Sequence, residues 1–210
     1  QPRRHGLAEV ARRPGDQRHP MRIVALCHVL FRSQIAAATS STTILLGKGK
    51  HVGGLVVQKP SITFRGACVL ETEIAKTTDT TATVQVGDSD VHLENVRVSG
   101  AHGGVLALFD GTDLTLDGVV VEKAAIAGLS VQDGAHVTAT DLVVRDSTSR
   151  GIEIADAEVD LDGAVVDGVK EVGILAFPKA VLSAQRLAVL AVAKPSTSKA
   201  AVGVVAVDAD

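Results

Sequence analysis

From residue 43 onward apolar and polar residues alternate along most of this chain, and the alternation recurs at a fixed step. The stretch 103–177 shows it best. VLALFDGTDLTLDGVVVEKAAIAG, LSVQDGAHVTATDLVVRDSTSRG and IEIADAEVDLDGAVVDGVKEVG are three versions of one phrase. Each opens on an alternating strand, bends through an Asp-rich turn, alternates again and closes near a Gly. Successive side chains of a β-strand point to opposite faces, so a period of two predicts half-buried strands.

Second strands start at Val91, Leu114, Val137, Val159 and Leu182, at steps of 23, 23, 22 and 23 residues. Third-strand pairs at Val96/Val98, Val119/Val121, Leu142/Val144, Ala164/Val166 and Leu187/Val189 keep that step. First-strand pairs fall at Val84/Val86, Leu106/Leu108, Leu129/Val131, Ile152/Ile154, Ile174/Ala176 and Val204/Ala206, and Gly128, Gly151, Gly173 and Gly203 each precede one of these strands. Upstream, 44–46, Leu55/Val57 and Ile62/Phe64 read as strands, and the Thr-rich stretch 70–83 reads as a polar excursion. A fixed period of this length means a solenoid. No helical period accompanies it, which excludes leucine-rich repeats, and propeller blades need about 40 residues. Three short strands per 22–23 residues predict an all-β, single-stranded parallel β-helix of about six coils, each strand pairing one coil away at about 4.8 Å. Gly66, Asn95, Gly118, Asp141, Gly163 and Arg186 sit between second and third strands. A tight bend there suits residues that tolerate positive φ, and Arg186 predicts a different bend in the last coil.

The segment GKHVGGLVVQKPSITFRG, with its strand, Lys-Pro bend and strand ending in Gly, resembles the first coil of the right-handed β-helix proteins of the pectin-lyase-like superfamily, pectinesterases among them. The resemblance spans about residues 43–210 and implies the right-handed fold. It also implies that an outer face would carry any activity. In that superfamily acidic side chains bind Ca²⁺ or act as acid and base there, and Arg or Lys pairs with uronate carboxylates. The Asn-Thr-Asp, Asp-Asp and Gly-His-Gly set of polygalacturonases is missing from this sequence. So are the Arg-x-Pro-x-x-Arg pattern of pectate lyases and the paired Asp and Arg motifs of pectinesterases.

The outward columns name the candidates. Gln85, Ala107, Ser130, Glu153 and Leu175 are expected along the first strands, a poor set for acid–base chemistry. Along the second strands run His92, Thr115, Thr138, Asp160 and Ser183, and beside them Glu94, Asp117, Thr140, Asp162 and Gln185. Asp160 and Asp162 lie two apart on one face. With Asp117 they are the candidate catalytic carboxylates and the candidate Ca²⁺ ligands. Glu94, Glu153, Arg145 and Arg150 are the candidate substrate-binding residues. The Asp-rich corners at Asp110, Asp133 and Asp156 are explained by turn chemistry. His102 and His136 have no Ser or Cys beside them in a recognisable relay, and His136 reads as a corner residue. The Gly-Lys-Gly-Lys run at 47–50 lacks the spacing and the following helix of a phosphate loop.

The rest of the chain bounds the function. Residues 1–20 are rich in Arg and Pro and read as a disordered basic lead-in. Residues 21–42 read either as a capping helix or as a signal-like segment, ahead of the β-helix domain at 43–210. Gln1 in place of Met predicts a processed product or a piece of a longer chain. The net charge of -3 offers no field for nucleic acid, and no apolar run reaches the roughly 18 residues of a membrane span. Cys27 and Cys68 leave one bridge or two free thiols open. With no Trp, no Tyr and four Phe, the aromatic platforms that usually hold sugar rings are scarce. These features predict a non-catalytic secreted or cell-surface β-helix with a structural, adhesive or weak glycan-binding role, in the extracellular space or cell envelope of a bacterium. The alternative is a divergent polysaccharide lyase or epimerase acting on an acidic glycan with Ca²⁺. A polysaccharide, or a protein covering the C-terminal end of the stack, is the expected partner.

Overall fold

In the computed structural model, residues 22–26, 41–58, 61–77, 80–193 and 202–207 are described, 22–26 by their backbone alone. Four strands come first: β1 (Arg22–Leu26), β2 (Thr42–Leu46), β3 (Gly49–Val52) and β4 (Leu55–Gln58). Triplets follow. They are β5 (Ile62–Gly66), β6 (Thr72–Lys76), β7 (Ala82–Gly87), β8 (Asp90–Glu94), β9 (Arg97–Gly100), β10 (Gly103–Leu108), β11 (Asp113–Asp117), β12 (Val120–Glu122) and β13 (Ala127–Gln132). The rest are β14 (His136–Thr140), β15 (Val143–Arg145), β16 (Arg150–Ala155), β17 (Glu158–Asp162), β18 (Val165–Asp167), β19 (Val172–Ala176), β20 (Val181–Gln185), β21 (Ala188–Leu190) and β22 (Val202–Ala206).

Every third strand pairs, always in parallel. The first-strand sheet runs β4-β7-β10-β13-β16-β19-β22, the second β1-β2-β5-β8-β11-β14-β17-β20, and the third β3-β6-β9-β12-β15-β18-β21. Six complete coils result, from β4 to β21, flanked by β1, β2 and β3 before and β22 after. The chain is a parallel β-helix. Its core is a narrow column in which like stacks on like. Val91, Leu114, Val137 and Val159 are at most 1% exposed, as are Val98, Val121, Val144 and Val166. Branched aliphatic side chains suit this interior because they pack flat against a pleated surface and stay stiff at χ1.

Corners use the left-handed backbone region. Asn95, Gly118, Asp141 and Gly163 turn second strands into third strands at φ of 53°, 58°, 51° and 76°. Asp88, Asp133 and Asp156 do so after first strands. Arg186 takes the same bend at φ 50°, against the expectation of a different one. Its guanidinium Nε donates to Asp162 Oδ1 at 2.7 Å, which ties the corner to the coil before it. Gly66 is the position that departs. It stays in β5, because the passage to β6 runs through the longer loop 67–71.

Three further expectations are corrected. Over 21–42, where a capping helix stood against a signal-like segment, Arg22–Leu26 is strand and not helix, and extends the second-strand sheet by pairing with β2, which bears on the helix reading alone. The lead-in 1–20, Cys27 and residues 27–40 lie outside the described residues. The Thr-rich stretch 70–83 is no excursion, since 72–76 is β6, paired with β3 and β9. Thr72 is wholly buried and its hydroxyl accepts from the Cys68 N–H, so a polar residue fits an inward position. In β10 the phase is one residue off: Val105 and Ala107 point inward, while Leu106 and Leu108 are half-exposed. The register Val105↔Leu129 makes Leu106, not Ala107, the neighbour of Ser130. A slip of one residue exchanges the two faces of a strand.

Cys68 is a free, half-buried thiol. Among the described residues no helix is long and apolar enough to cross a membrane.

Candidate functional site

The first-strand sheet presents a groove of about 410 Å³ across β7, β10, β13 and β16. Its floor is the outward column in its observed phase, Gln85, Leu106, Ser130 and Glu153, which the ladder register stacks one coil apart. Loop residues Thr81, His102 and Ile126 form one wall, with Gln132 and Arg150 completing the lining. Gln132 Nε2 donates to Ser130 Oγ at 2.7 Å. Arg150 Nη1 sits 2.6 Å from Glu153 Oε2, and Glu153 is largely shielded from solvent. Among the described residues the groove contains no Phe, Tyr or Trp side chain. Two of the four expected substrate-binding residues, Arg150 and Glu153, therefore stand in it, on the face that the sequence ranked lowest.

The other two stand elsewhere. Glu94 accepts from Arg65 Nε at 2.5 Å on the second-strand sheet. Arg145 belongs to a ladder of charges down the third-strand sheet. There Lys50 and Arg97 hold Glu73 at 3.0 Å each, Arg97 lies 3.9 Å from Glu122, and Arg145 holds Glu122 at 2.6 Å. Arg145 and Arg150 are close in sequence but leave the 146–149 corner on two different faces. Burial alone would push the Glu122 carboxyl up. Hydrogen bonds from Arg145 and Lys123, with their charges, outweigh it and hold the group below the ordinary carboxylate range.

The expected acidic triad is also divided. Asp117 and Asp162 occupy one outward column with Thr140 between them. Two ladder steps separate their backbones by about 10 Å. Asp162 is taken up by Arg186 and Asp160 by His136. Calcium gathers six to eight oxygens at about 2.3–2.6 Å, and Asp117, Asp160 and Asp162 do not fit one such shell. Asp160 and Asp162 do share a shallow dent of about 190 Å³ with Thr138, Thr140 and Ser183.

What the strand register assembles instead is a set around His136, which opens β14. Its Nδ1 lies 3.1 Å from Asp113 Oδ1 on β11, and its Nε2 lies 3.3 Å from Asp160 Oδ2 on β17. Glu158 is the neighbour of His136 in the ladder. Burial lowers the affinity of His136 for a proton, but hydrogen bonds to Asp113 and Asp160 and the charges of Asp113 and Glu158 raise its pKa overall. The signal for this set was present in the spacing. Asp113, His136 and Glu158 follow one another at 23 and 22 residues, two residues before the nearer of the columns from which the candidates were drawn.

No family model matches the chain, and no curated protein matches it. Among solved structures it is similar to the pectin methylesterase from Aspergillus niger in two deglycosylated forms, at TM-scores of 0.37 and 0.36. Identity is 11%, covering 85% of this chain and 86% of that chain in each case. The β-helix is established by the strand register given above and borrows nothing from this likeness.

Proposed function

We propose that the protein is a non-catalytic β-helix that binds an extended, uncharged polysaccharide weakly along the outer face of its first-strand sheet. The observation that carries this reading is the groove across β7, β10, β13 and β16, whose charged pair, Arg150 and Glu153, is mutually neutralised. An extended chain lying along the stack meets Gln85 on β7 and, two coil steps or about 10 Å further on, Ser130 and Gln132 side by side on β13. Their amides and hydroxyl offer donors and acceptors to sugar hydroxyls. Leu106 and Ile126 supply apolar contact in place of aromatic platforms. The modest contact surface favours an adhesive or structural role in which many weak attachments act together. Such a role belongs at a bacterial cell surface or outside the cell, where polysaccharides are displayed.

Titration calorimetry of the intact chain with neutral oligosaccharides of increasing length tests this. Binding should tighten with length. It should weaken about tenfold or more in the double variant Gln85→Ala/Gln132→Ala, since two net hydrogen bonds are worth about 2 kcal/mol. Absence of binding, indifference to the double substitution, or release of a shortened or unsaturated product would each overturn the reading.

A further inference from the structure

We propose that His136, Glu158 and Asp160 form a site for one divalent transition-metal ion, of which zinc is the type, on the outer face of the second-strand sheet and apart from the groove. One ligand atom from each of the three lies within 4.8 Å of the others. Ligands on a tetrahedral zinc ion, at about 2.1 Å each, sit about 3.4 Å apart. Side-chain rotations that bring the atoms closer by up to about 1.4 Å therefore close the set, and all three groups reach solvent. The β-helix register brings the ligands together from two coils. His136 and Glu158 are ladder partners, and Asp160 follows two residues later on the same face.

An independent feature lies behind the histidine. Asp113, one coil away on the opposite side and outside the ligand set, faces Nδ1 at 3.1 Å. In the tautomer whose Nδ1–H donates to Asp113, the Nε2 lone pair is directed at Asp160 Oδ2, 3.3 Å away. Two acceptors facing each other need a cation between them, either a second proton or a metal. Histidines that bind metal almost always carry such a carboxylate or carbonyl on the other ring nitrogen. Charge favours the metal. Three carboxylates surround one imidazole, and among the described residues no Lys or Arg pairs with Asp113, Glu158 or Asp160, in contrast to Glu73, Glu94, Glu122 and Asp162. A protonated His136 leaves two negative charges uncompensated, whereas a divalent ion on neutral imidazole leaves one. The nitrogen donor selects a borderline ion such as zinc over calcium or magnesium, which take oxygen.

Calorimetry with Zn²⁺ alone, and Co²⁺ absorption as a coordination probe, test the assignment on the intact chain. One high-affinity ion per chain is expected, with higher thermal stability when Zn²⁺ is present. His136→Gln should weaken Zn²⁺ binding about a hundredfold, and Asp113→Asn about tenfold, the range for an outer-shell partner. Asp162→Asn on the same face should leave it unchanged. Glu158→Gln, at an exposed side chain, keeps the test valid if the histidine variant folds poorly, and it should weaken binding and alter the Co²⁺ spectrum. No Zn²⁺ binding, binding as tight in His136→Gln and Glu158→Gln as in the parent chain, or a preference for Ca²⁺ would overturn the proposal. A bridging protonated histidine would then account for the geometry.

Discussion

The coil of β13, β14 and β15 and the coil of β19, β20 and β21 are written in the same alternation, yet they differ in what they bury. In the first, Leu129, Val131, Val137, Leu142 and Val144 are all fully enclosed. In the second only Ile174 is enclosed among the inward residues of its three strands. Leu182, Leu187 and Val189 are half-buried and Ala184 is exposed. Val181, Leu190 and, on β22, Val204 are more than half exposed. The residue types are alike, so the difference comes from neighbours. An inward side chain of a stacked coil is enclosed by the coil on each side of it, and a coil covered on one side keeps only part of that enclosure. Among the described residues, β20 and β21 of that coil also have no ladder partner on their outer edge, a surface that proteins usually cover or blunt with charge.

Matched substitutions in one column sharpen this comparison, beginning with the largest effect. Leu114 and Leu182 occupy equivalent positions of β11 and β20, the first 1% exposed. Leu114→Ala should destabilise by about 3 kcal/mol, combining lost transfer energy with an unfilled cavity, and Leu182→Ala by about 1 kcal/mol. Denaturant unfolding of both variants measures the gap, and equal losses would show that the last coil is enclosed in solution. The glycine column offers the next contrast. A Cβ on Gly128 would overlap Val144 Cγ1 and stand 2.9 Å from the Gly151 carbonyl oxygen, whereas one on Gly203 would meet only Val189 Cγ1 at 3.9 Å. Gly128→Ala should therefore cost about 2 kcal/mol through overpacking, and Gly203→Ala should stay within about 0.5 kcal/mol of the parent. A Gly128→Ala chain with unchanged midpoint would mean that β13 relaxes locally and that the tight fit of glycine against valine is not what holds it in place.

The same column explains where the sequence was readable and where it was not. Inward pairs such as Val91/Leu93 and Val159/Leu161 are isolated by polar neighbours, so their phase is unambiguous and the period follows. In β10 the run Val105-Leu106-Ala107-Leu108 is apolar on both faces, and hydrophobicity cannot choose between two registers. Gly104 decides it, aligning with Gly128, Gly151 and Gly173, because a Cβ at Gly104 would strike Val121 and the Gly128 carbonyl as one at Gly128 strikes Val144. Thr72 hid β6 for the opposite reason, a polar residue standing inward with its hydroxyl satisfied locally. Among candidate sites, faces were legible but partners were not. Asp162 is on the face where alternation puts it, and Arg145 closes β15 on the third-strand sheet. That each is held by a charge one coil away depends on side-chain reach across the ladder, which spacing alone does not report. His136 was passed over because, as the first residue of its strand, it resembled a corner.

The smallest contrast separates a shielded ion pair of the middle coils from an exposed one at the last coil. Glu122, with only 5% of its side chain exposed, is held by Arg145. Asp162, about half exposed, is held by Arg186 on the corner that opens the last third strand. The folded-state pKa of Glu122 is depressed, so its contribution to stability is present above the unfolded value of about 4.3 and is lost as pH falls through the lower folded value. Glu122→Gln should destabilise at pH 7 by about 1–2 kcal/mol, because Arg145 and Arg97 keep their charge beside a neutral amide. As pH falls below the unfolded value the gap between parent and variant should narrow, since the unfolded chain takes up the proton before the folded one does. Asp162→Asn should leave the unfolding midpoint at pH 7 and physiological salt unchanged, as expected of exposed pairs. Equal effects of the two substitutions, or a Glu122→Gln deficit that persists undiminished at pH 3, would show that the third-strand charge ladder contributes through packing of its aliphatic stems rather than through charge.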